Sequence, residues 1–144
     1  MTTIAQVKKY ARGSFLPWMS SQGFVLFGVF DFYRKRNGIY DLLQFTAKNG
    51  GWNLKCVAMC WAPECNPEYD MANFPKKLPV NTMWNGGYVS QFGVDFGGGS
   101  PSIRYEQDVS VALSYYAEVI EQHALPWFET VPDLDHLLGL MDKP

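Results

Sequence analysis

The sequence has little charge to spare in either sign: 12 Lys and Arg stand against 14 Asp and Glu, a formal net charge of −2. That balance gives no electrostatic reason to expect a nucleic-acid or membrane-surface binder. Long hydrophobic runs are missing too. None exceeds seven residues, the length of Phe24 to Phe30 with Gly28 inside it, where a bilayer-spanning helix needs about 20. Cysteine is scarce and odd in number, and Cys56, Cys60 and Cys65 fall within ten residues. A secreted disulfide scaffold uses an even, denser set. Residues Met1 to Lys9 lack the apolar core of a secretory signal, so a cytoplasmic chain is expected.

What the chain has in excess is aromatic side chains: 10 Phe, 8 Tyr and 5 Trp make 16% of 144 residues. Together with 47% hydrophobic content, this excludes a disordered or low-complexity polypeptide. The length fits one domain, large enough to bury a core without disulfide or metal staples.

Thr3 and Gln6 have the spacing of a capping box. Ile4, Val7, Ala11, Phe15 and Trp18 then recur at helical spacing, which predicts an amphipathic N-terminal helix. Pro17 lies inside that pattern, where its ring would clash with the Gly13 carbonyl, so a kink or break is expected. Gly23 suits the helix C-terminal cap. From Phe24 the period becomes two. One strand through Tyr33 is expected, then a turn at Asn37-Gly38, a second strand over Ile39 to Ala47, a turn at Asn49-Gly50-Gly51 and a third strand over Trp52 to Cys60. Such alternation around short glycine turns is an antiparallel meander.

Residues Ala62 to Met83 carry four prolines and no clean period, a loop of about 22 residues, longer than a compact domain ordinarily contains. Trp84 to Phe96 can supply a fourth strand, expected around Tyr88 to Val94, and Gly97-Gly98-Gly99-Ser100-Pro101 breaks the chain after it. Asp108 is placed to cap a long helix whose Val109, Ala112, Leu113, Tyr116, Val119, Ile120 and His123 share a face. Pro126 interrupts that helix, and Thr130 with Asp133 has capping-box spacing before a short closing helix. The order predicts a single α+β domain over residues 1–144. It has an N-terminal helix, an antiparallel sheet of about four strands and C-terminal helices packed on one face.

The runs Leu16-Pro17-Trp18-Met19-Ser20-Ser21-Gln22-Gly23-Phe24, Phe30-Asp31-Phe32-Tyr33-Arg34, Asp41-Leu42-Leu43-Gln44-Phe45 and Ala124-Leu125-Pro126-Trp127-Phe128-Glu129 resemble the bacterial domain of unknown function 4304 family. The similarity spans most of the chain. It implies an N-terminal helix, an alternating strand containing Gln and a C-terminal helix ending near Leu-Pro. It brings no catalytic residues. Look-alikes among the immunity proteins of bacterial polymorphic toxin systems make a protein-binding role the functional implication.

The residues that could carry chemistry are few. Cys56 and Cys60 share a strand face but lie about 13 Å apart at strand rise, too far to chelate one metal, so no metal is expected. A Cys/His nucleophile pair would need His123 or His136 beside a cysteine. Asp31 and Asp41 could face one another across the first hairpin as paired acids, or serve as salt-bridge partners of Arg34 and Arg36. Gly97 to Ser100 lacks the Lys of a phosphate-binding loop, and Arg34-Lys35-Arg36 is too short for a nucleic-acid footprint.

The aromatic surplus in and beside the long loop remains to be explained. Either the loop folds back as a flap and its rings cover one sheet face, or Trp61, Tyr69, Phe74, Trp84 and Tyr88 form a recognition surface. The expected function is a non-catalytic protein-binding domain, cytoplasmic, without cofactor, monomeric or weakly dimeric, possessing an immunity-like surface that blocks a toxin. Loop aromatics would anchor it, flanked by Glu64, Glu68 and Asp70. The alternative is a small-ligand binder or hydrolase with a cleft between sheet and loop, using Tyr33, Arg34, Gln44 and Trp84.

Overall fold

The capping box at the N-terminus forms: the Thr3 amide donates to Gln6 Oε1 at 2.8 Å and the Gln6 amide donates to Thr3 Oγ1 at 3.2 Å. It opens helix α1 (Ile4–Ala11) in a computed structural model that describes residues 2–48, 50–76, 84–88 and 101–141. The helix stops before Pro17 and restarts as α2 (Phe15–Ser21). The restart puts Pro17 in a first turn, where its missing N–H is not needed. Gly23, at φ +88°, closes α2, and the Phe24 amide reaches back to the Met19 carbonyl at 3.1 Å.

The strand expected from Phe24 to Tyr33 is instead a hairpin, β1 (Val25–Phe27) and β2 (Asp31–Arg36). The reversal occurs at Gly28, whose φ of +58° a side chain would resist. Strand alternation across the two arms keeps Leu26 opposite Phe32, so the apolar pattern reads alike for one strand or two. Asn37-Gly38 then turns the chain with φ of 47° and 81°. This is the two-residue geometry that matches strand twist, and it leads into β3 (Ile39–Lys48) and β4 (Asn53–Trp61). The last described strand, β5 (Trp84–Tyr88), pairs with β4 through Val57–Tyr88, Ala58–Gly87 and Cys60–Trp84. It falls at the start of the Trp84–Phe96 stretch expected to supply a strand, ahead of the Tyr88–Val94 centre; residues 89–96, and the Gly97–Ser100 break, lie outside the described residues. The sheet is antiparallel throughout, in the order β1-β2-β3-β4-β5.

One sheet face carries Phe32, Leu43, Phe45, Leu54, Cys56 and Ala58, and the helices cover it. The Phe30 and Phe45 ring centroids are 4.8 Å apart, and Phe15 of α2 meets Phe30, Phe32 and Phe45 within 6.2 Å. Each such ring, fully buried, stabilises the fold by about 1.5–3 kcal/mol. Helix α3 (Glu106–Val119) lays Val109, Ala112, Leu113, Tyr116 and Val119 onto the same core, and the Tyr116 hydroxyl donates to the Leu54 carbonyl at 2.7 Å. Asp108 does not sit at the cap position. Tyr105 does, and Asp108 reaches back from the first turn to accept the Tyr105 amide at 3.2 Å. A π-turn over Ile120–Ala124 joins α3 to α4 (Leu125–Glu129), which accommodates Pro126 in its first turn. In place of the expected Thr130–Asp133 box, the Thr130 hydroxyl donates to the Trp127 carbonyl, and Asp133 caps α5 (Leu134–Met141) through the His136 amide. The α+β class with helices on one sheet face is the observed architecture. Among the described residues no helix is long and apolar enough to cross a membrane.

Candidate functional site

The second sheet face is where the sequence placed a cleft. Tyr40, Leu42, Met59 and Trp61 are buried there, with Tyr33 and Val57 half-buried beside them. The described part of the long loop folds over them through two 3₁₀ turns, Pro63–Cys65 and Met71–Asn73. Phe74 stacks on Trp61 with ring planes 8° apart and centroids 6.0 Å apart, and lies 4.4 Å from Tyr40 and 5.1 Å from Tyr33. Tyr69 meets Trp61 edge-on at 5.4 Å. The Trp61 indole N–H donates to Asn66 Oδ1 at 3.0 Å, which satisfies the one polar atom the ring would otherwise strand.

Trp61 is therefore not a recognition anchor: it is fully buried and holds the flap down. The structure does bring Tyr33, Trp61 and Tyr69 together, but around Phe74, which fills the space a ligand cleft between sheet and flap would need. Gln44 is exposed on β3, on the same face and directly opposite Asp31 and Val57, at the margin of this cluster. For Trp84 and Tyr88 the backbone register on β5 is the whole of what is described. Glu64, Glu68 and Asp70 are exposed on the flap, and Asp70 caps the second 3₁₀ turn by accepting the Ala72 amide.

Arg34 lies on the opposite face, where β2 and β3 bring a charged group into the helix-covered core. Asp41 is fully buried. Its Oδ2 accepts from Arg34 Nε and Nη2 at 3.0 and 2.8 Å and from Arg36 Nε at 2.6 Å, while Oδ1 accepts from Arg36 Nη2 at 2.8 Å. The arginines are tied down further. Arg34 Nη1 donates to the Gln22 carbonyl at 3.1 Å, and its guanidinium lies 4.7 Å from the Phe24 ring centroid. Arg36 Nη2 donates to the Phe128 and Val131 carbonyls, at 2.7 and 2.9 Å, at the end of α4. Of the two readings open for the acids, the salt-bridge one describes Asp41. Asp31 pairs with Gln44 rather than facing Asp41, so the two do not form a catalytic pair.

Burial sets the chemistry of the remaining interior groups. It pushes the Cys56 thiol well up, and it raises Cys60, which also meets the Asp41 carboxylate with Sγ 3.8 Å from Oδ1. Cys65 is raised by burial as well. Nucleophilic cysteines need the opposite shift. Among the described residues no three His, Cys, Asp or Glu side chains are grouped to hold a metal.

Asp31, at the base of the β1–β2 turn, is moved from 3.8 to about 6, chiefly by burial and against a lowering hydrogen bond from the Phe45 backbone. The folded chain thus holds this proton more tightly than the unfolded chain does. Ionised Asp31 weakens the fold above about pH 6, and the penalty fades as pH falls toward 4. Asp31→Asn is expected to stabilise the protein at pH 7.5 by about 1 kcal/mol after allowance for solvent screening of a half-exposed group. Urea titrations of both proteins at pH 4.5 and 7.5 check this: the gain should shrink at the lower pH, and an equal gain at both would refute the assignment.

The surface feature that sequence reasoning missed lies at the other end of β4. Residues Pro101–Tyr105 run beside its start: the Leu54 amide donates to the Pro101 carbonyl at 2.9 Å and the Ile103 amide to the Trp52 carbonyl at 2.8 Å. Asn53 and Ser102 form a bridge, and Ile103 is fully buried. This pins Arg104 with its guanidinium carbon 4.1 Å from the Trp52 ring centroid and 5.1 Å from that of Tyr105. The rings remain 45% and 53% exposed. A single apolar residue between polar neighbours is a weak strand signal, and only the pairing with β4 gives Arg104 and Tyr105 their place beside Trp52.

A shallow groove of about 150 Å³ between α2 and α3, walled by Tyr10, Ser14, Trp18, Ser110 and Ser114, is smaller than the roughly 300–1,000 Å³ of ordinary ligand pockets. No family model, curated protein or solved structure matches this chain.

Proposed function

We propose that the protein acts by binding another protein, in the manner of an immunity protein that covers a toxin's surface, and performs no chemistry of its own. The resemblance to the domain of unknown function 4304 family suggests the immunity-like form. The side chains that catalysis would draw on are otherwise engaged: Asp41, Arg34 and Arg36 with one another, Cys56 in the apolar core, Cys60 against the Asp41 carboxylate, and Trp61 under the flap. The observation that carries the reading is the Trp52–Arg104–Tyr105 stack. Trp, Tyr and Arg are the side chains most enriched at binding hot spots. Here all three are exposed, the Arg104 guanidinium touches both rings, and backbone hydrogen bonds between the two segments set them side by side. Pre-ordering of this kind lowers the entropy lost on binding.

Trp52→Ala and Tyr105→Ala are each expected to weaken capture of a stoichiometric partner by about 2 kcal/mol while leaving the urea midpoint nearly unchanged. Quantitative affinity capture from the protein's own host, run beside denaturation of the same variants, checks this. Full retention of the partner by both variants would refute the proposed surface.

A further inference from the structure

We infer that the Trp52–Arg104–Tyr105 stack receives a single carboxylate side chain of the partner protein, a reading that rests on the protein-binding function proposed above. Arg104 pairs with no acid, and its guanidinium donates to no acceptor among the described residues; only its backbone amide is engaged, by Ser102 Oγ at 3.2 Å. Its contacts are with ring faces. Such contacts leave the in-plane N–H donors, five in a fixed fork, without a partner.

The contrast with the other arginines is direct. Arg34 and Arg36 have the same chemistry and each meets the Asp41 carboxylate through two nitrogens. Arg104 lies exposed between its two rings and lacks the acid. A planar carboxylate matches that fork through two parallel hydrogen bonds, and the flanking rings shield the pair from water, which strengthens it.

The surroundings select one carboxylate over a run of phosphates. Glu106 and Asp108 follow Arg104 directly, and Asp108 Oδ2 already accepts the Tyr105 amide. Their charges oppose a polyanion tracking across the site, and a chain of net charge −2 adds nothing to attract one. An isolated Asp or Glu among neutral or apolar residues satisfies the arginine and lets its neighbours lie on the two rings.

The test is selection of a displayed library of random dodecapeptides on the full chain, followed by binding of the enriched peptides to Arg104→Gln, Arg104→Lys and Trp52→Ala, each confirmed folded by circular dichroism. The expected result is enrichment of one Asp or Glu position. Affinity should fall about tenfold when that residue becomes its amide, and by a similar factor in Arg104→Gln. Arg104→Lys should recover only part of the loss, because it keeps the charge but not the fork. Peptides that lose affinity in Trp52→Ala but carry no acid and ignore Arg104→Gln would overturn the carboxylate inference while leaving the protein-binding surface standing. Enriched peptides indifferent to all three variants, or an absence of enriched peptides, would count against both. Binding of oligothymidylate that depends on Arg104 and survives 150 mM salt would replace the carboxylate with phosphate, and so overturn the inference.

Discussion

Asp41→Ala is expected to destabilise the fold by about 3–5 kcal/mol, the usual cost of removing one member of a buried ion pair. Domains of this size are stable by only about 5–15 kcal/mol, so the variant sits near the edge of folding. The reason lies in what is left behind. Asp41 accepts four N–H donors from Arg34 and Arg36 in a site with no access to water. Without the carboxylate, two largely buried guanidinium groups face each other unneutralised. The damage also spreads along the arginines' other bonds, Arg34 to the end of α2 and Arg36 to the end of α4. A matched control separates the charge from the packing: replacing all three residues together by Leu and Met is expected to recover most of the loss, since an apolar substitute for a buried ion cluster is often neutral or better. Urea denaturation of the parent, Asp41→Ala and the triple variant measures it. A loss below 1 kcal/mol for Asp41→Ala alone would contradict the network's structural role.

Trp61→Ala comes next, with an expected loss of about 3–5 kcal/mol. The ring is fully buried against Tyr40, Tyr69 and Phe74 and donates its N–H to Asn66. Truncation removes a large apolar contact, opens a cavity that rigid neighbours cannot fill, and leaves Asn66 without that donor. The flap is held mainly through these rings, so limited proteolysis should cut the variant within residues 62–76 before it cuts elsewhere. Trp61→Phe should retain more than half of the lost stability while still losing the Asn66 bond. Unchanged stability together with lost partner binding would mean that Trp61 is a surface anchor after all.

These two residues also show how much the sequence could say. The Asn37-Gly38 turn sets Arg36 opposite Ile39 and Arg34 opposite Asp41, so the pairing of Arg34 with Asp41 was readable from turn length and alternation alone. What alternation did not tell was which sheet face the helices would cover, because both faces of β4 are rich in apolar side chains. Its even positions meet α1, α2 and α3; its odd positions meet the flap. For the same reason Trp61 read equally well as anchor or core, and burial by a proline-rich loop without periodicity decided it. The β1–β2 reversal was hidden because Gly28 occupies a position where the two-residue period has only a gap. The helices were legible from spacing and, at α1, from the Thr3–Gln6 box, and α3 with the π-turn after it buries the predicted face apart from a half-buried His123. The exposed stack was not legible, since Trp52 and Arg104 are about a third of the chain apart and are brought together by the pairing of residues 101–103 with the start of β4.

The central claim is that recognition belongs to the exposed rings around Arg104 and that the flap aromatics serve the fold. The most direct test measures urea midpoint and partner capture together for the parent protein, Trp52→Ala and Trp61→Ala. Trp52→Ala should keep the midpoint and lose the partner, whereas Trp61→Ala should lose several kcal/mol of stability. A Trp52→Ala protein that captures the partner as the parent does, beside a stable Trp61→Ala protein that does not, would reverse the assignment of the two surfaces.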